Sequence, residues 1–319
     1  MTLKSMLTKQ KRRILFWISG LIFLILLAPV FLYTFGYGVG PGLKIQRTGG
    51  IAITASASNA LVSASPFRKK KTSLISKNAI IKNLVPGEYE VEIKKDGFWE
   101  WKKNISVLSE KITPREALLI PLQVEGEVLG TTSPASSKPY VKKNTLYTRD
   151  EIGKEKILFS SVKKFWELSK SAEYLILGED KNFYRNKKPE TALATSTLEI
   201  LIKSKNTFFS EDENEIISWD SSKIELFWIG QKDKMPFWMD KTQYKSFISV
   251  GDIKDAKNYP GQPDYLIISV ENGIWALEKE SPENNIAPLY KGKNPKIISI
   301  ESKSLTLLDD GNYIKIILP

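Results

Sequence analysis

The chain has 319 residues, with 47 Lys and Arg against 36 Asp and Glu, and neither Cys nor His. Without those two residue types, the usual zinc sites, Ser–His and Cys–His nucleophile pairs and disulfides are excluded, so every domain has to hold by core burial alone. The basic surplus is uneven: residues 44–123 carry 14 basic and 7 acidic side chains, whereas residues 124–319 carry 28 and 29.

Residues 1–13 form a basic N-terminus with Lys4, Lys9, Lys11, Arg12 and Arg13 and no acid. Ile14 to Phe35 follow without one charged side chain. At about 1.5 Å per residue that run makes a helix roughly 33 Å long, enough for a hydrocarbon core of about 30 Å. The sequence therefore predicts one transmembrane helix over 14–36. The positive-inside rule keeps the N-terminus in the cytoplasm and sends the rest of the chain to the extracytoplasmic side of the cell membrane. The competing reading is a cleaved signal peptide. Its apolar region would be about 7–15 residues long and end in small residues. Here the run is longer and its exit, Tyr33-Thr34-Phe35, is bulky, which favours a signal-anchor. Gly36 to Gly42 reads as a plain membrane-exit linker.

Residues 44–123 read as one small β domain. Gly50-Ile51-Ala52-Ile53-Thr54 alternates, and Glu88-Tyr89-Glu90-Val91-Glu92-Ile93 is its clearest strand. There Tyr89, Val91 and Ile93 share the inner face and three glutamates the outer one. Val85-Pro86-Gly87 and Lys95-Asp96-Gly97 are turn signals on either side. The run Arg68-Lys69-Lys70-Lys71 is expected to be a solvated loop or a contact for anionic headgroups or wall polymer.

The segments Leu84-Val85-Pro86-Gly87-Glu88-Tyr89-Glu90-Val91 and Asp96-Gly97-Phe98-Trp99-Glu100-Trp101 resemble the PEGA domain. That resemblance implies a compact extracytoplasmic β module of bacterial envelope proteins, and it carries over no catalytic residue. Its glycine-threonine-proline step is replaced here by Lys71-Thr72-Ser73-Leu74.

Residues 124–139, ending in Thr131-Thr132-Ser133-Pro134-Ala135-Ser136-Ser137-Lys138-Pro139, read as a linker. Beyond it, in residues 140–319, apolar runs recur about every 40–50 residues: Tyr174-Leu175-Ile176, Ile216-Ile217, Tyr265-Leu266-Ile267 and Leu305-Thr306-Leu307. Each is followed by a polar turn and a second strand, a pattern that predicts a β-propeller of four to five blades. Pro263-Asp264-Tyr265-Leu266-Ile267-Ile268-Ser269 with Gly273-Ile274-Trp275-Ala276-Leu277 resembles the blade pattern of TolB-like and WD40-like propellers. A β-sandwich or an incomplete solenoid is the alternative.

The expected fold class is thus an all-β extracytoplasmic region on one N-terminal transmembrane helix: a small PEGA-like β-sandwich followed by a β-propeller-like domain. Glu211-Asp212-Glu213-Asn214-Glu215 lacks the spacing of a calcium loop and reads as a solvated hairpin turn. No metal or cofactor is implied, and no enzyme activity is expected. Surface contacts are sought at Arg68, Lys69, Lys70 and Lys71 and at Trp99 and Trp101, which are two apart and expected on one strand face. The expected function is a non-catalytic scaffold or protein-binding role in the cell envelope. Cell-wall polymer or carbohydrate binding through exposed Trp and basic residues is the alternative. Expected partners are the membrane, envelope proteins and anionic wall polymer. Nucleic acid is not expected, because no binding motif accompanies the basic charge.

Overall fold

The computed structural model describes residues 9–65, 68–132, 139–149, 153–239, 241–248, 251–283 and 285–319. They fall into two compact units that divide between Leu119 and Ile120. Lys4, residues 133–138 of the expected linker and the side chain of Arg68 lie outside what is described.

The first unit opens with helix α1 (Lys9–Thr34). Within Gln10–Thr34 its most apolar 18-residue window has a mean hydropathy of 2.6, and none of that window is buried inside the protein. It is long and apolar enough to cross a membrane. Pro29 lies inside it, where the ring removes one helical donor.

The glycine-rich stretch after the helix is not a plain linker. Strands β1 (Tyr37–Val39) and β2 (Ile45–Arg47) form an antiparallel ribbon that pairs Tyr37 with Arg47 and Val39 with Ile45. The ribbon is closed at its base by Thr48, whose N–H and hydroxyl both donate to the carbonyl of Gly36, at 2.7 and 2.8 Å.

Seven strands then build a β-sandwich. They are β3 (Gly49–Ala55), β4 (Leu61–Ala64), β5 (Arg68–Lys71), β6 (Asn78–Leu84), β7 (Gly87–Lys94), β8 (Trp101–Val107) and β9 (Ile112–Ala117). One sheet has the order β6-β3-β9 and the other β5-β4-β7-β8. Only the β3–β9 pairing is parallel among them. Alternate residues of both sheets meet in the core, where Ile51, Ile53, Val62, Val91, Ile93 and Ile105 are wholly buried. Each such side chain stabilises the fold by about 1.5–3 kcal/mol. The alternation expected along β7 is present: Val91 and Ile93 are buried, and Glu88 and Glu90 are exposed. Tyr89 is half-buried and its hydroxyl donates to the carbonyl of Val85 at 2.8 Å.

Two expectations are corrected here. Arg68–Lys71 is an edge strand paired with β4, not a loop. Lysines on an edge discourage further strand pairing. Trp99 and Trp101 do not share a strand face, because β8 begins only at Trp101. Trp101 is 2% exposed and belongs to the core, while Trp99 stays partly exposed, so Trp101 is lost as a surface contact.

The second unit is a β-propeller. Its first strand, β10 (Gly126–Gly130), lies within the segment read as linker. The first sheet holds β11 (Tyr140–Lys142), β12 (Thr145–Arg149) and β13 (Glu155–Ser160). The second holds β14 (Val162–Leu168), β15 (Glu173–Gly178), β16 (Phe183–Arg185) and β17 (Lys188–Pro189). Helix α2 (Thr195–Lys203) follows. The third sheet holds β18 (Asn206–Phe209), β19 (Glu215–Trp219), β20 (Lys223–Trp228) and β21 (Tyr244–Ile248). The fourth holds β22 (Asp255–Asn258), β23 (Tyr265–Val270), β24 (Gly273–Glu278) and β25 (Ile286–Lys291). The fifth holds β26 (Lys296–Glu301), β27 (Ser304–Asp309) and β28 (Asn312–Ile317).

Every sheet is an antiparallel meander. The fifth takes its outermost strand from the start of the unit: β10 pairs with β28, with Gly126 opposite Ile316 and Val128 opposite Ile314. That pairing ties the two ends of the ring together. The four apolar runs read from sequence are β15, β19, β23 and β27, the second strand of each of four sheets. Apolar clusters fill the seams between neighbouring sheets. Leu146, Val162 and Ile176 join the first to the second. Trp166, Phe209 and Ile216 join the second to the third, with Leu201 of α2 packed among them. Ile217, Leu226, Leu266 and Ile268 join the third to the fourth.

Candidate functional site

The first strands of four successive sheets, β14, β18, β22 and β26, line one cavity of about 660 Å³, with Pro139 on the same wall. Strands that begin each blade meet only around the axis of a ring, so this cavity is its centre. Its walls carry half-buried Phe165, Phe208, Thr207, Lys257 and Asn258. Glu167, Glu211 and Glu301 are exposed at its rim.

Hydrogen bonds between sheets hold this wall in shape. The Trp166 indole N–H donates to the Thr207 hydroxyl at 2.7 Å. The Asn258 amide donates to the carbonyl of Phe209 at 2.8 Å. The backbone N–H of Gly261 donates to Glu211 at 3.4 Å. Behind the wall, the Tyr259 hydroxyl donates to the carbonyl of Pro319 at 3.3 Å, and burial pushes its phenol well above the usual range. Lys257 pairs with Asp255 at 3.1 Å and lies over the Trp219 ring. Among the described lining residues, three rim carboxylates, of which Glu301 lies 3.9 Å from the Lys315 ammonium, stand against one lining ammonium, Lys257, an acidic balance that favours cationic or hydrogen-bond-donating groups.

The acidic run at 211–215 is not uniformly solvated. Glu215 opens β19 and its side chain is only 4% exposed, ion-paired with the equally buried Lys279 from the end of the fourth sheet. Burial lifts the Glu215 carboxyl above its usual value, outweighing the attraction of Lys279. Asp212 behaves in the opposite way. Burial raises it, but hydrogen bonds from Ser210 and Asn214 outweigh that and hold it below the usual carboxylate range. Among the described residues no cluster of three or more Asp, Glu, His or Cys is arranged to hold a metal ion.

A smaller cavity of about 340 Å³ opens at the fourth sheet, with Ile268, Val270 and Trp275 on its floor and Asp252 and Asn272 on its rim. The Trp275 indole N–H donates to Asn272 at 3.3 Å.

None of the surface contacts read from sequence lies in either cavity. Lys69, Lys70 and Lys71 are exposed on the edge of the sandwich, and the Lys70 ammonium donates to the carbonyl of Ile80 at 3.0 Å. The inner strands were missed because part of their side chains enters the seams, as Trp166 and Phe209 do, and part lines the cavity. Val162-Lys163-Lys164-Phe165-Trp166 and Asp255-Ala256-Lys257-Asn258 mix polar, aromatic and small residues instead of alternating. The available signal was position: each precedes one of the apolar second strands by a short turn.

No protein-family model matches the chain, and no curated protein sequence matches it. Solved structures with a related course include the WD40 domain of SCAP from fission yeast, at 8% identity over 75% of this chain and 86% of that one, with a TM-score of 0.29. An auxiliary nutrient binding protein from Bacteroides thetaiotaomicron matches at 10% identity over 81% and 78%, with a TM-score of 0.25. A eukaryotic initiation factor matches at 13% identity with a TM-score of 0.31. The match covers 55% of this chain and about half (48%) of the initiation factor. The propeller assignment rests on strand order and on the ring-closing pair.

Proposed function

We propose that this chain is a single-pass membrane protein with its N-terminus in the cytoplasm. In this reading a PEGA-like sandwich and the propeller stand on the extracytoplasmic side of the cell envelope and bind a partner without catalysis. The observation that carries the binding role is the convergence of four inner strands on one cavity with aromatic walls and an acidic rim. Its volume falls in the range of about 300–1,000 Å³ typical of ligand sites, which suits a small molecule or a short peptide segment that presents a cationic or donor group. A photo-crosslinking residue in place of Phe208 tests this in cells. A specific adduct is expected at 208 and none at Lys187, on the β16–β17 turn. Equal labelling at both positions removes the cavity from the function.

Wall-polymer binding is supported by a different observation. Lys71 is opposite Leu61, which is opposite Lys94, so the lysine edge lies at the end of the sandwich away from Gly87. Val85, two residues before that glycine, packs against the ribbon that follows α1. Five to seven residues of strand separate Lys69–Lys71 from that end, about 17–23 Å. A Debye length of about 8 Å screens headgroups over such a distance, so these lysines suit a polymer beyond the bilayer better than its lipids. Salt-sensitive cosedimentation with isolated wall polymer is expected to weaken when Lys69, Lys70 and Lys71 are changed to Gln.

A further inference from the structure

The β1–β2 ribbon is held in place from one side only. Its inner face carries Gly38 and Gly40, and there is no room for more: a Cβ at 38 would come within 2.8 Å of the Thr48 methyl and 3.2 Å of Val85, and one at 40 within 3.3 Å of Val85. Those glycines let the ribbon lie flat on the sandwich. The outer face is apolar and open. Val39 and Ile45, directly opposite each other, are 61% and 56% exposed, and Leu43 at the tip is 85% exposed. Tyr37 and Arg47 continue the same face toward the base, where the guanidinium stacks 5.5 Å from the ring and ion-pairs with Glu110. The adjoining β8–β9 turn adds Leu108, also exposed, and is tied to the ribbon by the Ser109 hydroxyl, which donates to the carbonyl of Arg47 at 3.2 Å.

Covalent continuity says what covers this face. Only Phe35 and Gly36 separate the end of α1 from the ribbon. A strand of three residues reaches about 10 Å, and the headgroup layer on each side of a bilayer is about 5–8 Å thick. A ribbon fixed to the end of a spanning helix cannot leave that layer by more than a few ångströms.

We infer that the ribbon is a membrane-seating element: its outer face rests in the headgroup–acyl boundary of the leaflet from which α1 emerges, and its inner face carries the sandwich. The occupant is lipid, and the recognition is apolar, so it does not depend on anionic headgroups. Val39, Ile45 and Leu43 supply the apolar surface, and Tyr37 and Arg47 supply amphipathic groups beside the helix exit, the composition of an interfacial anchor. The sandwich thereby stands at a defined tilt on the bilayer instead of swinging on a linker. This inference rests on the anchor reading of α1.

The chain has no cysteine, so single labels are clean. Leu43→Cys and Val39→Cys are labelled with an environment-sensitive fluorophore in the full chain, reconstituted into phosphatidylcholine vesicles with and without lipids brominated near the top of the acyl chain. Ser76→Cys, on the exposed β5–β6 turn at the opposite end of the sandwich, is the reference. Quenching at 43 and 39 is expected to exceed that at 76 by at least threefold. Equal quenching, with the chain still floating with the vesicles after an alkaline wash, overturns the ribbon assignment alone. Loss of flotation overturns the anchor reading and the ribbon assignment with it.

Discussion

Among the described residues, the sandwich buries two polar side chains, Thr72 and Lys103, whereas the ring buries Glu215, Ser269, Glu278, Lys279, Asn285 and Asp309 among others. Lys103 lies beside the Trp101 ring, and the rest of that core is aliphatic and aromatic. The difference follows from how each closes. Two sheets laid face to face hide one face of each and need only apolar alternation. Five narrow sheets arranged round an axis leave seams and a hole. Backbone ends and turns meet there, and polar side chains have to satisfy them. Thus the Ser269 hydroxyl donates to the carbonyl of Pro295 across one seam, and Lys279 meets Glu215 across another.

Each side of that contrast can be broken. The largest effect is expected from Val91→Asp, which puts an unpaired charge into an apolar core. The cost is on the order of 5 kcal/mol, the whole stability of a small domain. The sandwich transition should vanish from denaturation followed by hydrogen exchange while the ring keeps its own. Joint unfolding of both would end the comparison of two separately held regions.

Next is Lys279→Met. Removing one partner strands the Glu215 carboxylate and is expected to cost the ring about 3–5 kcal/mol in urea denaturation, most of it recovered in a double variant with Glu215→Leu. A double variant as unstable as the single one would show that packing, not the ion pair, holds that seam.

Gly126→Val tests the closure itself. A Cβ at 126 would lie 2.9 Å from the carbonyl oxygen of Lys315 and 3.0 Å from the Ile316 side chain. Overpacking of this kind costs about 1–3 kcal/mol. Faster proteolysis within residues 124–132 is the expected sign that β10 has come loose, and unchanged protection would mean that the ring closes without it.

The pH dependence of the ring is a subtler measure. The Glu215 carboxyl, raised by burial above its usual 4.5, holds its proton more tightly in the folded chain. The folded state therefore loses stability as pH rises from about 4.5 through the raised value. Melting temperatures of the parent chain should fall relative to Glu215→Gln over that range, and parallel curves would contradict the burial argument. The smallest change is expected from Lys69, Lys70 and Lys71 to Gln, within about 0.5 kcal/mol for exposed positions, although the uncharged edge should aggregate more readily.

The apolar helix, read as 14–36 and observed over Lys9–Thr34, and the alternation of β7 could be read directly. So could the second and third strands of four propeller sheets, because each depends on side chains within a few positions of one another. The same locality explains Trp101. Spacing of two suggested a face shared with Trp99, but the strand begins between them, and only the structure shows that. Of the candidate site little was legible. Its walls come from β14, β18, β22 and β26, which are brought together by the ring and share no local pattern.

By itself, the sequence determined the apolar span, the all-β class and the absence of any thiol or imidazole chemistry, since these are properties of composition and short-range period. Tertiary structure decided the rest. It drew β10 out of an apparent linker to pair with β28 at the far end of the chain. It turned a glycine-rich exit into a ribbon, because Gly38 and Gly40 let that stretch lie close against Thr48 and Val85. It buried Glu215 from a run of acids, because Lys279 sits across the seam from it. Each of these depends on a partner remote in sequence, and no local pattern of residues encodes which remote partner a segment will meet.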